Sequence, residues 1–428
     1  MPRGSSNALG RDHIRSVNQR AVIDAIHRHG RISRSDLATL LHLSPSAITA
    51  ITAPFVAEGL VVEGELGTTT SVGRKPILLE IDYDHAHVFG VKVTAHAVIT
   101  ALTNLGAEPV ATRTDPLPDL TTQSVTATVA HAMAALHADA KDVVRRVIGV
   151  GVNVPGIVEH QSGTVRHSPL LGWYDVPFAA ALFERIGLPV LVENDVNALA
   201  AAQAWFGHGR EHHAFLVVTL GRGVGLGIVI EGAVYRGPTG GAGELGHTVV
   251  TPVRPAIMPQ EPTTLEALLC DEALLEQARR ASPHLGRDAQ SDDLTRLAAA
   301  GDPGVLLVLA DAGAVLGVAL ANLVNIFAPS RIVLGGEGMR NAPYLLPPLR
   351  RALAEHAFGD LGDHVDVVVD AWGDDAWARG AAGLAAARFL QEAAIPLTAA
   401  SVHPGAADDP GQRVEGGPLA TVARPSRS

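Results

Sequence analysis

Cysteine is almost missing: Cys270 stands alone in a chain of 428 residues. No disulfide can form within the chain, and no cysteine-rich zinc cluster can be assembled. That usage fits a reducing, cytoplasmic setting. Long apolar runs are missing as well. A membrane-crossing helix needs about eighteen uninterrupted apolar residues, so none is predicted. The opening stretch "MPRGSSNALGRDHIRS" lacks the apolar core of a secretory leader and reads as a flexible N-terminus over residues 1–13. Aromatics are only 4% of the chain against 47% hydrophobic residues overall. Its cores must therefore close-pack Ala, Val and Gly, which suits α/β layers. The length exceeds what one core usually serves, so two or three domains are expected.

Negative charge dominates, but not at the front. Residues 1–80 carry nine Lys/Arg and seven Asp/Glu, and the rest of the chain holds a balance of −13 out of a total of −11. Residues 1–34 alone hold seven Arg against two Asp. A basic front end on an acidic body points to a nucleic-acid contact there.

Residues 14–82 read as one unit. "SVNQRAVIDAIHRHG" places Val17, Ala21, Ile23, Ala25 and Ile26 at roughly helical spacing, and Gly30 stops the helix. In "SRSDLATLLHL", Ser33 is an N-cap with Asp36 three residues on, and Leu37, Leu40 and Leu41 form one apolar face. "SPSAITAITAPFVAEGL" opens with Ser44 as N-cap and Pro45 at the first helical position, and turns Ile48, Ile51 and Phe55 inward. Pro54 should kink or end that helix. Two β-rich runs then flank a polar tip containing Arg74 and Lys75. Three helices and a hairpin make a winged helix-turn-helix, whose second motif helix enters the major groove while the wing lies on phosphates. Ser44, Ser46, Ala47 and Thr49 fall at the start of that recognition helix. Their small side chains give no readable base preference. Arg34, Arg74 and Lys75 are the candidates for phosphate contacts.

From residue 86 the pattern changes to α/β. Three strands in "HVFGVKVTAHAVITALTNLGAEPVATRT" precede a helix over 121–138. "RRVIGVGVNVPGIV", "PFAAALFERIG" and "LPVLVEND" then read as strand, helix and strand. The order repeats less cleanly after residue 213, so two like lobes facing one cleft are predicted over 86–390. Glu193, Asn194 and Asp195 end a strand at its carboxyl end, where open α/β sheets keep their ligands. The proline- and glycine-rich stretch 391–428 has no apolar period and reads as disordered.

"LGRGVGLGIVIEGAVYRGPTGGAGELGH" at 220–247, with "VPGIV", "ENDVNALA" and "IVLGG" around it, resembles the ROK family of repressors, open reading frames and sugar kinases. The front domain, with "SRSDLA" and "GRKPILLEID", resembles the repressor branch. The resemblance implies an actin-like, ribonuclease-H-like two-lobed fold that closes on a sugar. The family's sugar-holding residues match Asn194, Asp195, Glu244, His247 and Glu266, all of the right type. In the kinases the residue matching Asp195 is the general base, a role that also needs a phosphoryl donor held in line. The donor half departs from the family. Lys92 stands where the kinases place an aspartate, and Thr94, Ala95 and His96 replace a Gly-Gly-Thr loop. Lysine cannot hold magnesium, and a backbone phosphate cradle needs glycine. Arg222 enters the second phosphate loop at a position usually small and polar. The zinc-binding cysteines of many relatives are also absent between His247 and Glu266, so no metal or other cofactor is expected. Residues 251–262, with four prolines, read as mobile.

The expectation is a sugar-responsive, DNA-binding transcriptional regulator, a repressor acting as a homodimer or dimer of dimers on operator DNA, with no catalysis. The rival from another class is an ATP-dependent, glucokinase-like sugar kinase with an unorthodox phosphate loop. A third possibility is a regulator that has lost its sugar control.

Overall fold

Residues 6–66, 76–250, 263–370 and 376–392 are described by a computed structural model of the chain. The first helix, α1 (Ser6–His29), begins ahead of residue 14 and ends where Gly30 takes φ 68°. A two-residue strand, β1 (Ile32–Ser33), leads into α2 (Arg34–Leu40), whose cap forms as the sequence predicts: the Asp36 N–H donates to Ser33 Oγ. The recognition helix α3 (Pro45–Glu58) is capped by Ser44, which accepts from the Ala47 N–H. Helices α2 and α3 meet at 120°, within the range of a helix-turn-helix. Strands β2 (Val61–Leu66) and β3 (Ile77–Ile81) pair antiparallel as the stem of the wing. The wing tip with Arg74 and Lys75 lies outside the described residues.

Ile48, Ile51 and Phe55 are buried as expected, but three local readings need correction. Val17 is half exposed, and Val22 is buried in its place. The buried stripe of α1 is wider than a three-helix core requires, because its C-terminal half also packs on the following domain. Leu40 is exposed, and Ala38 joins Leu37 in the core instead. Pro54 neither ends nor interrupts α3. Pro54 and Ala50, whose carbonyl loses its helical partner there, both lie on the exposed face of the helix.

The first lobe contains β4 (His87–Val93), β5 (Ala97–Asn104), β6 (Pro109–Pro116), α4 (Thr122–Asp139), β7 (Val147–Val154), a small sheet of β8 (Ile157–Glu159), β9 (Thr164–Ser168) and β10 (Trp173–Val176), then α5 (Phe178–Ile186), β11 (Val190–Asn194) and α6 (Asp195–Phe206). Its main sheet runs β11-β7-β4-β5-β6. The second lobe contains β12 (Phe215–Leu220), β13 (Val224–Ile230), β14 (Ala233–Val234), β15 (Val249–Val250), β16 (Thr263–Thr264), α7 (Glu266–Leu269), α8 (Asp271–Ala281), α9 (Ser291–Ala299), α10 (Pro303–Phe327), β17 (Arg331–Gly335), α11 (Ala342–His356), α12 (Leu361–His364), β18 (Asp366–Val369) and α13 (Ala376–Glu392). Its sheet runs β14-β13-β12-β17-β18, the same order strand for strand. In both lobes the first strand is central, antiparallel to the second and parallel to the fourth. The duplication read from the sequence is therefore real.

The lobes exchange helices at the hinge. Helix α6 leaves the first lobe and packs on β13 of the second, while α13 returns from the second lobe to lie on β4, β7 and α6. That return demands bare backbone: a β-carbon on Gly90 or Gly151 would collide with the carbonyl oxygens of Ala378 and Ala381. Helix α10 is long and apolar enough to cross a membrane. Its Val305, Leu309, Leu316 and Leu320 are instead buried in the second lobe's core, against α11 and α8.

Candidate functional site

Asn194 closes β11 because the helix after it needs acceptors. Its Oδ1 accepts from the N–H groups of Val196 and Asn197 at 2.9 and 3.1 Å. Its Nδ2 donates to Gly156 O at 3.0 Å, which ties the "VPGIV" turn to the same spot. One amide hydrogen remains uncommitted for a ligand. Asp195 opens α6, and its Oδ1 accepts from the Val196 N–H at 3.0 Å.

The other oxygen of Asp195 is taken by a residue the sequence shows only as a kinase departure. Lys92 Nζ lies 2.5 Å from Asp195 Oδ2, and 4.7 Å above the centroid of the Trp377 ring. Both side chains are largely shielded, at 12% and 20% exposed. A hydroxyl can still donate to this carboxylate. Its Oδ2 is engaged by the ammonium.

Local hydrogen bonds hold the β4–β5 turn, where Thr94, Ala95 and His96 stand. Thr94 Oγ1 accepts from the N–H groups of His96 and Ala97 at 3.3 and 3.0 Å, and donates to Ala97 O at 2.9 Å. The N–H groups of His96 and Ala97 are thus bonded within the β4–β5 turn. At the second phosphate loop, a β-carbon on Gly221 would lie 2.5 Å from Glu337 Oε2. A carboxylate thus stands over that loop.

Glu244, His247 and Glu266 come from the second lobe. Glu266 begins α7, and its Oε2 accepts from the Val224 N–H at 3.0 Å. It lies so close to Gly223 that a β-carbon there would sit 2.7 Å from the same oxygen. Glu244 has its carboxyl pushed up, by burial first; Asp195 and Glu266 add to the rise, while His247 and His167 oppose it. Glu244 thus feels the charges of Asp195 from the first lobe and of Glu266 and His247 from the second, and that of His167, which the sequence reading did not include. His247 Nε2 lies 3.9 Å from Glu244 Oε2 and its side chain is 69% exposed, so it is presented to solvent. The loop after it, 251–262, lies outside the described residues. Its stem is stitched by β15 and β16, where Val249 pairs with Thr264 and Val250 with Thr263.

Beneath the cleft sits a node that residue types alone do not reveal. Glu193, 1% exposed, receives Arg236 Nε at 2.6 Å from the second lobe, and His160 Nδ1 lies 3.0 Å from the same oxygen. Its Oε1 accepts from the Asn194 N–H at 2.9 Å. Burial pushes this carboxyl up, but His160 and Arg236 outweigh it and the net shift is downward. The node thus positions Asn194 and links the lobes. Arg236 was legible only as part of the glycine-spaced signature, and His167 in β9 carries no sequence signal.

The candidate DNA-binding residues of the recognition helix lie at its start, and the reading of Arg34 needs correction. Ser44, Ser46 and Thr49 are exposed at the start of α3, and Ala47 is half-buried. The exposed face continues through Ala50 and Ala53. These small side chains let the helix approach a groove closely. Arg34 does not stand free for a phosphate: it donates to Thr52 Oγ1 at 3.2 Å and pairs with Glu63 at 2.7 Å, joining α2 to α3 and β2.

Comparison with known proteins agrees with this anatomy. A model of the ROK family matches residues 88–388, and a winged helix-turn-helix DNA-binding model matches residues 15–62. The putative xylose repressor of Caldicellulosiruptor sp. (strain Rt8B.4) is 29% identical over 392 residues, covering 88% of this chain and 97% of its own. The crystal structure of a ROK family transcriptional regulator, a homolog of the E. coli MLC protein, superposes with a TM-score of 0.77 at 25% identity, covering 90% of this chain and 99% of that one. A ROK family glucokinase from Streptomyces griseus, solved with glucose and AMPPNP, superposes with a TM-score of 0.59 at 26% identity, covering 70% of this chain and 99% of that one. With a winged helix at its front and the family's two-lobed body spanning 88–388, the chain belongs to the ROK family.

Proposed function

We propose that this protein is a sugar-responsive transcriptional repressor whose kinase-like domain binds a carbohydrate without phosphorylating it. The observation that carries the reading is the Lys92–Asp195 pair. It occupies the position of the catalytic base in a cleft whose facing turn has spent its amides. Asn194, Asp195, Glu244, His247 and Glu266 bind sugar hydroxyls, with carboxylates accepting and the amide and imidazole able to do both. Ser44, Ser46, Ala47 and Thr49 meet the major groove, and Arg74 and Lys75 meet phosphates. Two copies read paired half-sites, so closure of the lobes on a sugar changes the spacing of two winged helices and hence operator affinity. The reading calls for no metal and places the protein in the cytoplasm. The repressor name of the Caldicellulosiruptor relative supports it.

A gel shift against DNA enriched by in vitro selection tests it, with D-xylose, D-glucose and N-acetyl-D-glucosamine as effectors. One fragment is expected to bind in the nanomolar range, and one sugar to change that affinity at least about fivefold. Ala50→Glu adds a carboxylate to the exposed face of α3 and is expected to weaken operator binding at least about tenfold with an unchanged melting temperature. Sugar-dependent ADP release from MgATP would overturn the non-catalytic reading in favour of a kinase.

A further inference from the structure

Helix α6 joins two places that the function must connect. Its first residue is Asp195, in the cleft. Its last two, Trp205 and Phe206, touch the DNA-binding domain roughly 18 Å away, by the rise of twelve helical residues. Between them every side chain from Val196 to Gln203 is buried. The neighbours are shaped to grip it: β-carbons on Gly225 and Gly227 would collide with Val196 and Ala200, and one on Gly383 would lie 3.0 Å from the Phe206 ring. A helix of small residues packed against bare backbone has little slack, so it moves as a rod.

At the far end His27 of α1 is held from several sides. It is 4% exposed. Its Nε2 donates to Trp205 O at 2.9 Å, and Tyr83, in the turn linking the two domains, donates its hydroxyl to Nδ1 at 2.8 Å. The ring centroids of Trp205 and Phe206 lie 4.5 and 5.4 Å from that of the imidazole. Arg210, just beyond α6, donates to the carbonyls of His27 and Arg28, the last acceptors of α1. Arg28 in turn reaches the Gly232 turn of the second lobe, where its guanidinium lies 3.2 Å from the position of a β-carbon on Gly232. The β13–β14 hairpin that ends in this turn runs directly into Arg236 and the Glu244 loop. Residues Val22, Ile23 and Ile26, beside His27 on α1, belong to the same core as Ile48 and Phe55 of the recognition helix. Burial, with Arg210 and Arg28 alongside, holds the His27 imidazole down at about 4, so the joint is a neutral, hydrogen-bonded one.

We propose that His27, seated in Trp205, Phe206, Tyr83 and Arg210, is the joint through which the sugar cleft positions the DNA-binding domain, with α6 as the connecting rod. This rests on the sugar-responsive reading above. A ligand that draws Asp195 toward the second lobe displaces the rod, and α1 follows at the other end. The coupling free energy between sugar and operator passes through these contacts.

The test measures operator affinity by fluorescence anisotropy on the full-length protein, with and without D-xylose, D-glucose or N-acetyl-D-glucosamine. Sugar affinity is measured by calorimetry without DNA. In the wild type one sugar is expected to change operator affinity by about 5- to 150-fold. His27→Ala is expected to bring that factor within about twofold of unity while sugar affinity stays within about threefold. His27→Gln, whose amide can donate to Trp205 O and accept from Tyr83, is expected to restore it. Arg210→Gln gives the same loss by a second route should His27→Ala not fold. Wild-type coupling retained in the folded His27 and Arg210 variants would overturn the joint and leave the sugar response standing. If no sugar in the panel moves the wild-type affinity, the sugar-responsive reading itself falls, and this inference with it.

Discussion

Arg236→Ala is expected to cost roughly 3–5 kcal/mol of stability at pH 7. That is a drop on the order of 10 °C in the melting temperature of the kinase-like domain, read by calorimetry or circular dichroism. The reason is the partner it abandons. Glu193 is 1% exposed, and Arg236 supplies its shortest contact, at 2.6 Å. Removing the guanidinium leaves a buried charge with His160 and one backbone amide beside it. The pH dependence fixes the sign. In the wild type the Glu193 carboxyl lies below its ordinary value, so its stabilising share is present above the unfolded pKa of about 4.5 and fades as the pH falls through the folded value. In Arg236→Ala one of the two groups that oppose burial is gone, so the carboxyl rises from its wild-type position with His160 alone still holding it down. The variant's Glu193 therefore keeps less of the stabilising share that the wild type holds above the unfolded value. The gap between the two proteins should therefore be widest near neutrality and narrow toward pH 4–5, where the variant's carboxyl accepts a proton. A melting difference that stays flat from pH 7 to pH 5 would remove Glu193 as its cause. Arg236→Lys should recover part of the loss, since it returns the charge without the planar fork.

Local chemistry made much of this molecule legible from its residues. Ser33 and Ser44 cap the helices they were expected to cap, because an oxygen at that position has only the orphan N–H groups nearby to serve. Ile48, Ile51 and Phe55 repeat at three- and four-residue steps and are buried together. The two lobes announce themselves through strand runs ended by Gly, Pro or Asn-Asp, and their sheets have the same strand order. Asn194, Asp195, Glu244, His247 and Glu266 could be named only through the resemblance to the ROK family, as matches to its sugar-holding residues. What escaped reading was pairing across distance. Lys92 and Asp195 are 103 residues apart, so the lysine showed as a lost magnesium ligand and not as the cation that occupies the base. Glu193 was visible as a polar strand end, but its partner 43 residues on was not. His27 had no pattern at all: it is one histidine among nineteen, and its meaning depends on Trp205, 178 residues away. Val17 was misplaced for the same reason. Helical spacing finds a stripe, but only the docking partner tells how wide the stripe is. Arg34 was read as a phosphate ligand because a free arginine and an ion-paired one look alike until Glu63 is placed beside it.

Asp195→Ala is expected to weaken sugar binding by at least about 100-fold, and the accompanying loss of stability must be separated from it before the residue is assigned to the ligand. Two effects are tied together at this position. The carboxylate offers hydroxyls an acceptor in a shielded cleft, and it also neutralises Lys92, whose side chain is only 12% exposed. Asp195→Ala strands that ammonium against Trp377 at a cost of about 2–3 kcal/mol, less than for a fully buried pair because water reaches part of both groups. Lys92→Met strands the carboxylate instead, at a similar cost. The double variant Lys92→Met/Asp195→Leu leaves no charge unpaired, so it should regain most of the stability either single change loses. Sugar affinity should follow a different order. It falls in Asp195→Ala and stays low in the double variant, because the acceptor is absent from both, whereas Lys92→Met keeps the acceptor and should bind within about tenfold of the wild type. A double variant that recovered both its melting temperature and its sugar affinity would make Asp195 a structural counter-ion and move the ligand's anchor to Glu244 and Glu266. Phosphoryl transfer should appear in none of the four proteins. Removing Lys92 frees the carboxylate, but the amides of the facing turn remain bound to Thr94 and Glu337 still stands over Gly221. Restoring the base without its phosphate cradle leaves the sugar hydroxyl no phosphoryl donor held in line to attack.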